Sequence, residues 1–144
     1  MAISSQFYPS AFAAMFNNDL NSGDTFKLML LTNAYTYSNV HTLVSDVSAN
    51  EISGTGYTTG GAAITVSAAL KPGALPADRD RTELTLSDVL FTAATFTFEK
   101  AVVYNADSNA LLLYLDFGAE QNVAGQNYQL NAPSPKPSIT PTPI

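Results

Sequence analysis

The chain has 144 residues, enough for one domain with its own core, and 46% of them are hydrophobic while only 12% are charged, well under the ~25% usual in soluble proteins. Its net charge of −6 sets 12 acidic residues against six scattered cations, Lys27, Lys71, Arg79, Arg81, Lys100 and Lys136, so there is no basic cluster to displace counterions from a nucleic acid. Cysteine is absent, which excludes disulfides, thiol nucleophiles and thiolate zinc sites.

No apolar run approaches a membrane span, and the stretch from Met1 to Phe16 lacks the basic start and clean apolar core of a secretory leader. Tyr8, Phe12, Met15 and Phe16 recur at i, i+4, i+7 and i+8. That spacing predicts a short helix from about Pro9 to Asn18, docked on the core by its aromatic face. Pro9 suits the first turn, and Asn17, Asn18 and Gly23 are residues that readily turn left-handed at a helix end. From Thr25 to Thr32 the run TFKLMLLT is apolar on both alternating faces, Phe26, Leu28 and Leu30 on one and Met29 and Leu31 on the other. A central strand covered on both sides is expected there. A long polar connection follows through Tyr35, Tyr37, His41 and Asp46 to Gly54, Gly56, Gly60 and Gly61, with one helical turn expected between His41 and Val47.

Strand patterns return at Ala62 to Leu70, Thr82 to Leu90, Thr95 to Tyr104, Leu111 to Phe117 and Asn127 to Leu130. Lys71-Pro72-Gly73 reads as a turn, Asp78 to Arg81 as an exposed charged loop, and NADSNA as a polar turn joining antiparallel strands. The expected architecture is mainly β, an antiparallel β-sandwich or jelly-roll-like domain over residues 1–132 with one short N-terminal helix. Residues 133–144, PSPKPSITPTPI, form a Pro-rich arm, since recurrent proline disfavours helix and central strand alike. The arm is expected to lie on a partner, contacting it through Pro133, Pro135, Pro137, Ile139, Pro141 and Ile144.

Chemistry-bearing patterns are sparse. His41 is the single histidine and reads as a polar loop residue, and no G-x-S-x-G elbow is present. Asp46, Glu51, Asp78, Asp80, Asp88, Glu99 and Asp116 include no pair that spacing selects for glycoside hydrolysis. Asp78 and Asp80 mimic a calcium-type D-x-D, but Arg79 and Arg81 alternate with them and neutralise the acids. The glycines at 54, 56, 60 and 61 lack the lysine of a phosphate loop, and the seven tyrosines suit a core or interface better than a sugar platform. No catalytic, cofactor-binding or metal-ligating residue is expected, and no enzymatic activity.

The segment DVSANEISGTGYTTGG from Asp46 to Gly61, with KLMLL at Lys27 to Leu31 upstream and AVVYN at Ala101 followed by LLLYLDFG ending at Gly118 downstream, resembles a family of small virion structural proteins of tailed bacteriophages. The resemblance implies a β-sandwich or jelly-roll-like virion component. With the low surface charge and the terminal arm, it points to a capsid decoration or cement protein on the outside of the head, made in the host cytoplasm. Its expected partners are the major capsid protein and other copies of itself, with neither nucleic acid nor membrane. A tail, collar or fibre-associated component is the alternative within virions, and a carbohydrate-binding module the alternative outside them.

Overall fold

In the computed structural model, which describes residues 3–17, 20, 23–70, 82–133 and 138–139, the chain runs β1 (Ser4–Phe7), α1 (Ser10–Phe16), β2 (Phe26–Leu31), two single-turn 3-10 helices (Val44–Asp46 and Ser48–Asn50), β3 (Ala62–Ile64), β4 (Val66–Leu70), β5 (Thr82–Leu86), β6 (Val89–Asn105), β7 (Leu111–Leu130) and β8 (Ser138–Ile139). Five strands form one sheet in the order β1-β7-β6-β2-β3, and β4-β5-β8 form a second. Every pairing is antiparallel. Leu84 and Leu86 of the second sheet share a core with Phe26, Leu28, Leu30, Phe96 and Phe98 of the first. The fold is mainly β and sandwich-like.

Strand β2 shows why its sequence is apolar at nearly every position. Phe26, Leu28 and Leu30 enter the core shared by the sheets, while Met29 and Leu31 enter a second cluster on the opposite face with Tyr8, Tyr35, Val47, Val102, Leu111 and Tyr114. The connection after β2 supplies that second cover with Tyr35 and Val47, so β2 is dry on both sides. A strand in such a place must be apolar on both faces. The connection read as polar therefore has a structural task, and its helical turn falls at Val44–Asp46 as expected.

The expected runs at 62–70 and 82–90 are each divided between the two sheets. Thr65 separates β3 from β4, and Ser87 with Asp88 separates β5 from β6. At this corner the Thr65 N–H donates to Ser87 Oγ at 2.9 Å and the Ser87 N–H to the Thr65 carbonyl at 3.0 Å. Two strands thus change sheets at one clasped point, as corners of sandwiches do.

The runs expected as separate strands near the C-terminal end are instead two long ones. β6 and β7 pair from Val89↔Leu130 to Tyr104↔Leu111, with register shifts between Phe91 and Ala94, between Phe98 and Lys100, and near Tyr104. The largest shift opposes Phe117 to Glu120 to the single Glu99. Gly118 sits there at φ 78° and its N–H donates to Asp116 Oδ1 at 2.8 Å, so Asp116 fixes a bulge that bends the hairpin. The turn at its tip is built on buried Asn105, whose Oδ1 accepts from the N–H groups of Asp107 and Ser108 and whose Nδ2 donates to Asp24.

Helix α1 forms where the spacing places it, but it docks by a different face. Ala11 is buried, Ala14 packs against the shared core, and Phe12 and Phe16 are 44% and 94% exposed. At about 100° per residue, Ala11 and Ala14 centre the buried stripe; Met15, then Phe12, then Phe16 lie progressively farther round. The alanines let the helix approach closely, and large rings on that face would hold it away. The helix ends at Asn17, whose φ is −86° and so not left-handed, while Asn18 lies outside the described residues. The loop from Lys71 to Arg81, including the Asp78 to Arg81 run, lies outside the described residues.

Candidate interaction surface

The segment from Asp46 to Gly61, which carries the resemblance, forms a strap along the edge that β3 begins. Ile52 N–H donates to the Leu30 carbonyl at 3.1 Å, Thr32 N–H to the Asn50 carbonyl at 2.9 Å, and Thr95 N–H to the Thr55 carbonyl at 2.9 Å. Its two acids, Asp46 and Glu51, are both committed to the strap. Glu51 Oε1 accepts from Tyr57 Oη at 2.9 Å and from the Gly60 N–H at 2.6 Å, while Tyr57 Oη accepts from the Leu30 N–H at 3.1 Å. Tyr104 Oη closes the loop by donating to the Gly60 carbonyl at 2.5 Å. Burial pushes the Tyr57 phenol far above its ordinary range, which keeps it a neutral donor. The glycines and Glu51 thus make a buckle on β2 in which the polar groups satisfy one another.

Asp46 acts at the other end of the strap. Its Oδ2 accepts from the N–H groups of Thr42 at 2.9 Å and Leu43 at 3.1 Å, and these bonds hold the exposed carboxyl below the usual carboxylate range, with His41 adding a smaller contribution. Because the folded state lowers this pKa, the associated stability is present above the unfolded value of about 3.9 and is lost as pH falls through the folded one. Asp46→Asn should therefore lower the melting temperature at pH 7, and the gap from the parent should close below about pH 4. Melting curves across pH 2 to 7 check this; a gap independent of pH would refer the effect to geometry rather than charge.

His41 is more than a loop residue. Tyr8 Oη and Tyr35 Oη lie 2.6 Å apart, and Tyr35 Oη lies 2.9 Å from His41 Nδ1. Tyr8 is fully buried, and burial raises its phenol far above the ordinary range. The chain of three groups conducts the hydrogen-bonding needs of two tyrosines outward to a half-buried imidazole. Tyr37 and Tyr114 stack beside them, with ring centroids 5.3 Å apart, and Lys100 Nζ donates to the Tyr35 carbonyl at 2.5 Å. Sequence reading missed this cluster because its members come from four separated stretches.

Among the described residues no three His, Cys, Asp or Glu side chains gather as metal ligands would. Beside the exposed carboxylates of Asp46, Asp88, Asp107 and Glu120, two outward faces carry no charge. Residues 1–18 contain no Asp, Glu, Lys, Arg or His, and Phe12, Met15 and Phe16 project from α1. On the outer face of the bent hairpin, Leu90, Thr95, Thr97, Asn122, Ala124 and Gln129 are exposed. Of the expected contact residues, Pro133 is buried, just after the Ala132 N–H, which donates to Asp88 Oδ1 at 2.7 Å. Ile139 lies in β8, opposite Thr82 of β5. Pro135, Pro137, Pro141 and Ile144 lie outside the described residues. Comparison with protein-family models, curated proteins and solved structures finds no match to this chain.

Proposed function

We propose that this chain is a non-enzymatic structural protein of a phage virion, a decoration or cement protein that binds the outer surface of the head and stabilises neighbouring major capsid subunits. The observation that carries the reading is where the polar groups of the resembling segment go. Asp46, Glu51 and Tyr57 are consumed in holding the strap in place, which leaves the uncharged, partly apolar faces of α1 and of the outer hairpin as the working surface. Such a surface suits protein contact, since interface cores are depleted of charge and enriched in aromatic residues and methionine. On a lattice each copy engages several subunits at once, so weak contacts add by effective concentration.

The test is to mix the purified protein with heads that lack it and image the particles. Lattice-wide occupancy, with heads that withstand a higher temperature, supports the proposal. Occupancy confined to a single vertex or to tails would replace it with the tail or collar reading, and absence from every particle would end both.

The carbohydrate-binding reading has one observation of its own. A cleft of about 200 Å3 is lined by Ile3, Phe117, Gln121, Tyr128, Gln129 and Asn131, which joins aromatic rings to amides without a formal charge. A glycan array decides it, and binding abolished by Tyr128→Ala would favour it.

A further inference from the structure

Strand β1 forms one edge of the five-stranded sheet, paired with β7 on one side and with no strand on the other among the described residues. The Tyr8 N–H donates to the Leu112 carbonyl at 3.1 Å. Because an antiparallel ladder alternates, Tyr8, Gln6 and Ser4 turn their backbone groups toward β7, and Ser5 and Phe7 turn theirs outward. The Phe7 carbonyl accepts from Tyr37 Oη at 3.1 Å, which leaves the Ser5 N–H, the Ser5 carbonyl and the Phe7 N–H without a partner among the described residues. Edges of this kind are ordinarily blunted by lysine, proline or a bulge. The sequence Ile3-Ser4-Ser5-Gln6-Phe7 contains neither residue, and its register against β7 is unbroken.

The same five residues are complementary to themselves. Ile3 and Phe7 both pack against the core shared by the sheets, and Ser5 lies between them on that face, since residues two apart in a strand share a face. A two-fold axis through Ser5, perpendicular to the sheet, lays a second copy antiparallel along β1 without turning its core face over. Ser5 then opposes Ser5 of the second copy, Ile3 opposes its Phe7, and Ser4 opposes its Gln6. Apolar meets apolar on the core face and polar meets polar on the other, with the small serine on the axis. The outward groups match as well: each Ser5 N–H meets the other Ser5 carbonyl, and each Phe7 N–H the other Ile3 carbonyl. Phe12, its ring 6.0 Å from that of Phe7 and 44% exposed, flanks the junction. Charge permits the approach. All 12 acidic residues lie beyond residue 18, so two copies of net charge −6 meet here with no carboxylate in the paired segments. The acid one strand inward, Asp116 opposite Ser4, is itself opposed by Lys100 on β6.

We propose that β1 is the joint between two copies of this chain, which pair about Ser5 and join their five-stranded sheets into one. The proposal concerns the protein free in solution and does not rest on the virion reading.

Sedimentation of the purified chain at rising concentration, up to millimolar, is expected to show a monomer–dimer equilibrium. Ser5→Pro removes one outward N–H and leaves the ladder to β7 intact, so it should melt with the parent when dilute and dimerise about tenfold more weakly. The chain's lack of cysteine lets the register be read directly, because residues of a non-hydrogen-bonded pair stand ~4.5 Å apart at Cα, within disulfide reach. Ser4→Cys mixed with Gln6→Cys under mild oxidation should give mixed disulfide dimers in several-fold excess over the dimers either variant forms alone. A chain that stays monomeric at every concentration overturns the proposal and leaves the edge to a different partner. A dimer that Ser5→Pro leaves as tight as the parent's, or that yields no excess of the mixed disulfide, overturns the assignment to β1. Failure of the protein to bind particles would leave these results intact.

Discussion

Gly61→Ala is expected to cost about 3 to 5 kcal/mol of folding stability, combining left-handed backbone strain with an overpacked contact that cannot relax. Gly61 adopts φ 96°, and a Cβ built there would lie 2.2 Å from the Leu28 carbonyl oxygen, 2.7 Å from its carbon and 3.0 Å from Met29 Cα. Those are backbone atoms of β2, which has no rotamer to turn away. Leu28 pairs with Ala62 on one side and Val103 on the other, so moving it would disturb the centre of the five-stranded sheet. Two other glycines calibrate the result. Gly125 has φ 62° but open space around it, so its alanine variant should show the strain alone, about 1 to 2 kcal/mol. Gly23 has neither a left-handed φ nor a neighbour within 4 Å and should be close to neutral. Urea unfolding of the three variants gives the order, and a Gly61→Ala cost no greater than that of Gly125→Ala would refute the steric account.

Much of this fold is legible in the sequence where one residue pattern has one physical solution. The run from Phe26 to Leu31 is apolar on both faces because both faces are covered, and the assignment of Phe26, Leu28 and Leu30 against Met29 and Leu31 matches the two clusters found. The polar turn before Leu111 is legible for a similar reason, since Asn105 and its successors can close a hairpin tip with their own side chains. Strand continuity is not legible in β6 and β7. A bulge at Gly118, or at Ala93 with φ 45°, looks in sequence like the end of a strand. The buckle of Glu51, Tyr57 and Gly60 is local in sequence yet hidden. An acid near glycines reads equally well as a ligand or as a loop fastener, and only the position of the Leu30 N–H beside Tyr57 decides between them.

The helix shows the opposite failure, because the large apolar stripe is real and points outward. Its consequence is a contrast between three phenylalanines that sequence alone treats alike. Phe98 is fully buried, with ring centroids 5.0 Å from Phe117, 5.7 Å from Tyr128 and 5.9 Å from Phe96. Phe98→Ala should therefore cost about 3 to 5 kcal/mol, as truncation of a closely packed core ring does. Phe16, 94% exposed, should change stability by less than about 0.5 kcal/mol when replaced by alanine. Phe12 should fall between them, since its ring still rests against Phe7 at 6.0 Å. Denaturant midpoints measure all three, and a Phe16→Ala loss comparable to that of Phe98→Ala would mean that α1 packs by its aromatic face after all. If the virion proposal holds, Phe16→Ala gains a second readout: a variant that unfolds with the parent yet occupies fewer sites on heads would assign the ring to the partner. Undiminished occupancy would move the contact from α1 to the outer hairpin face or the arm.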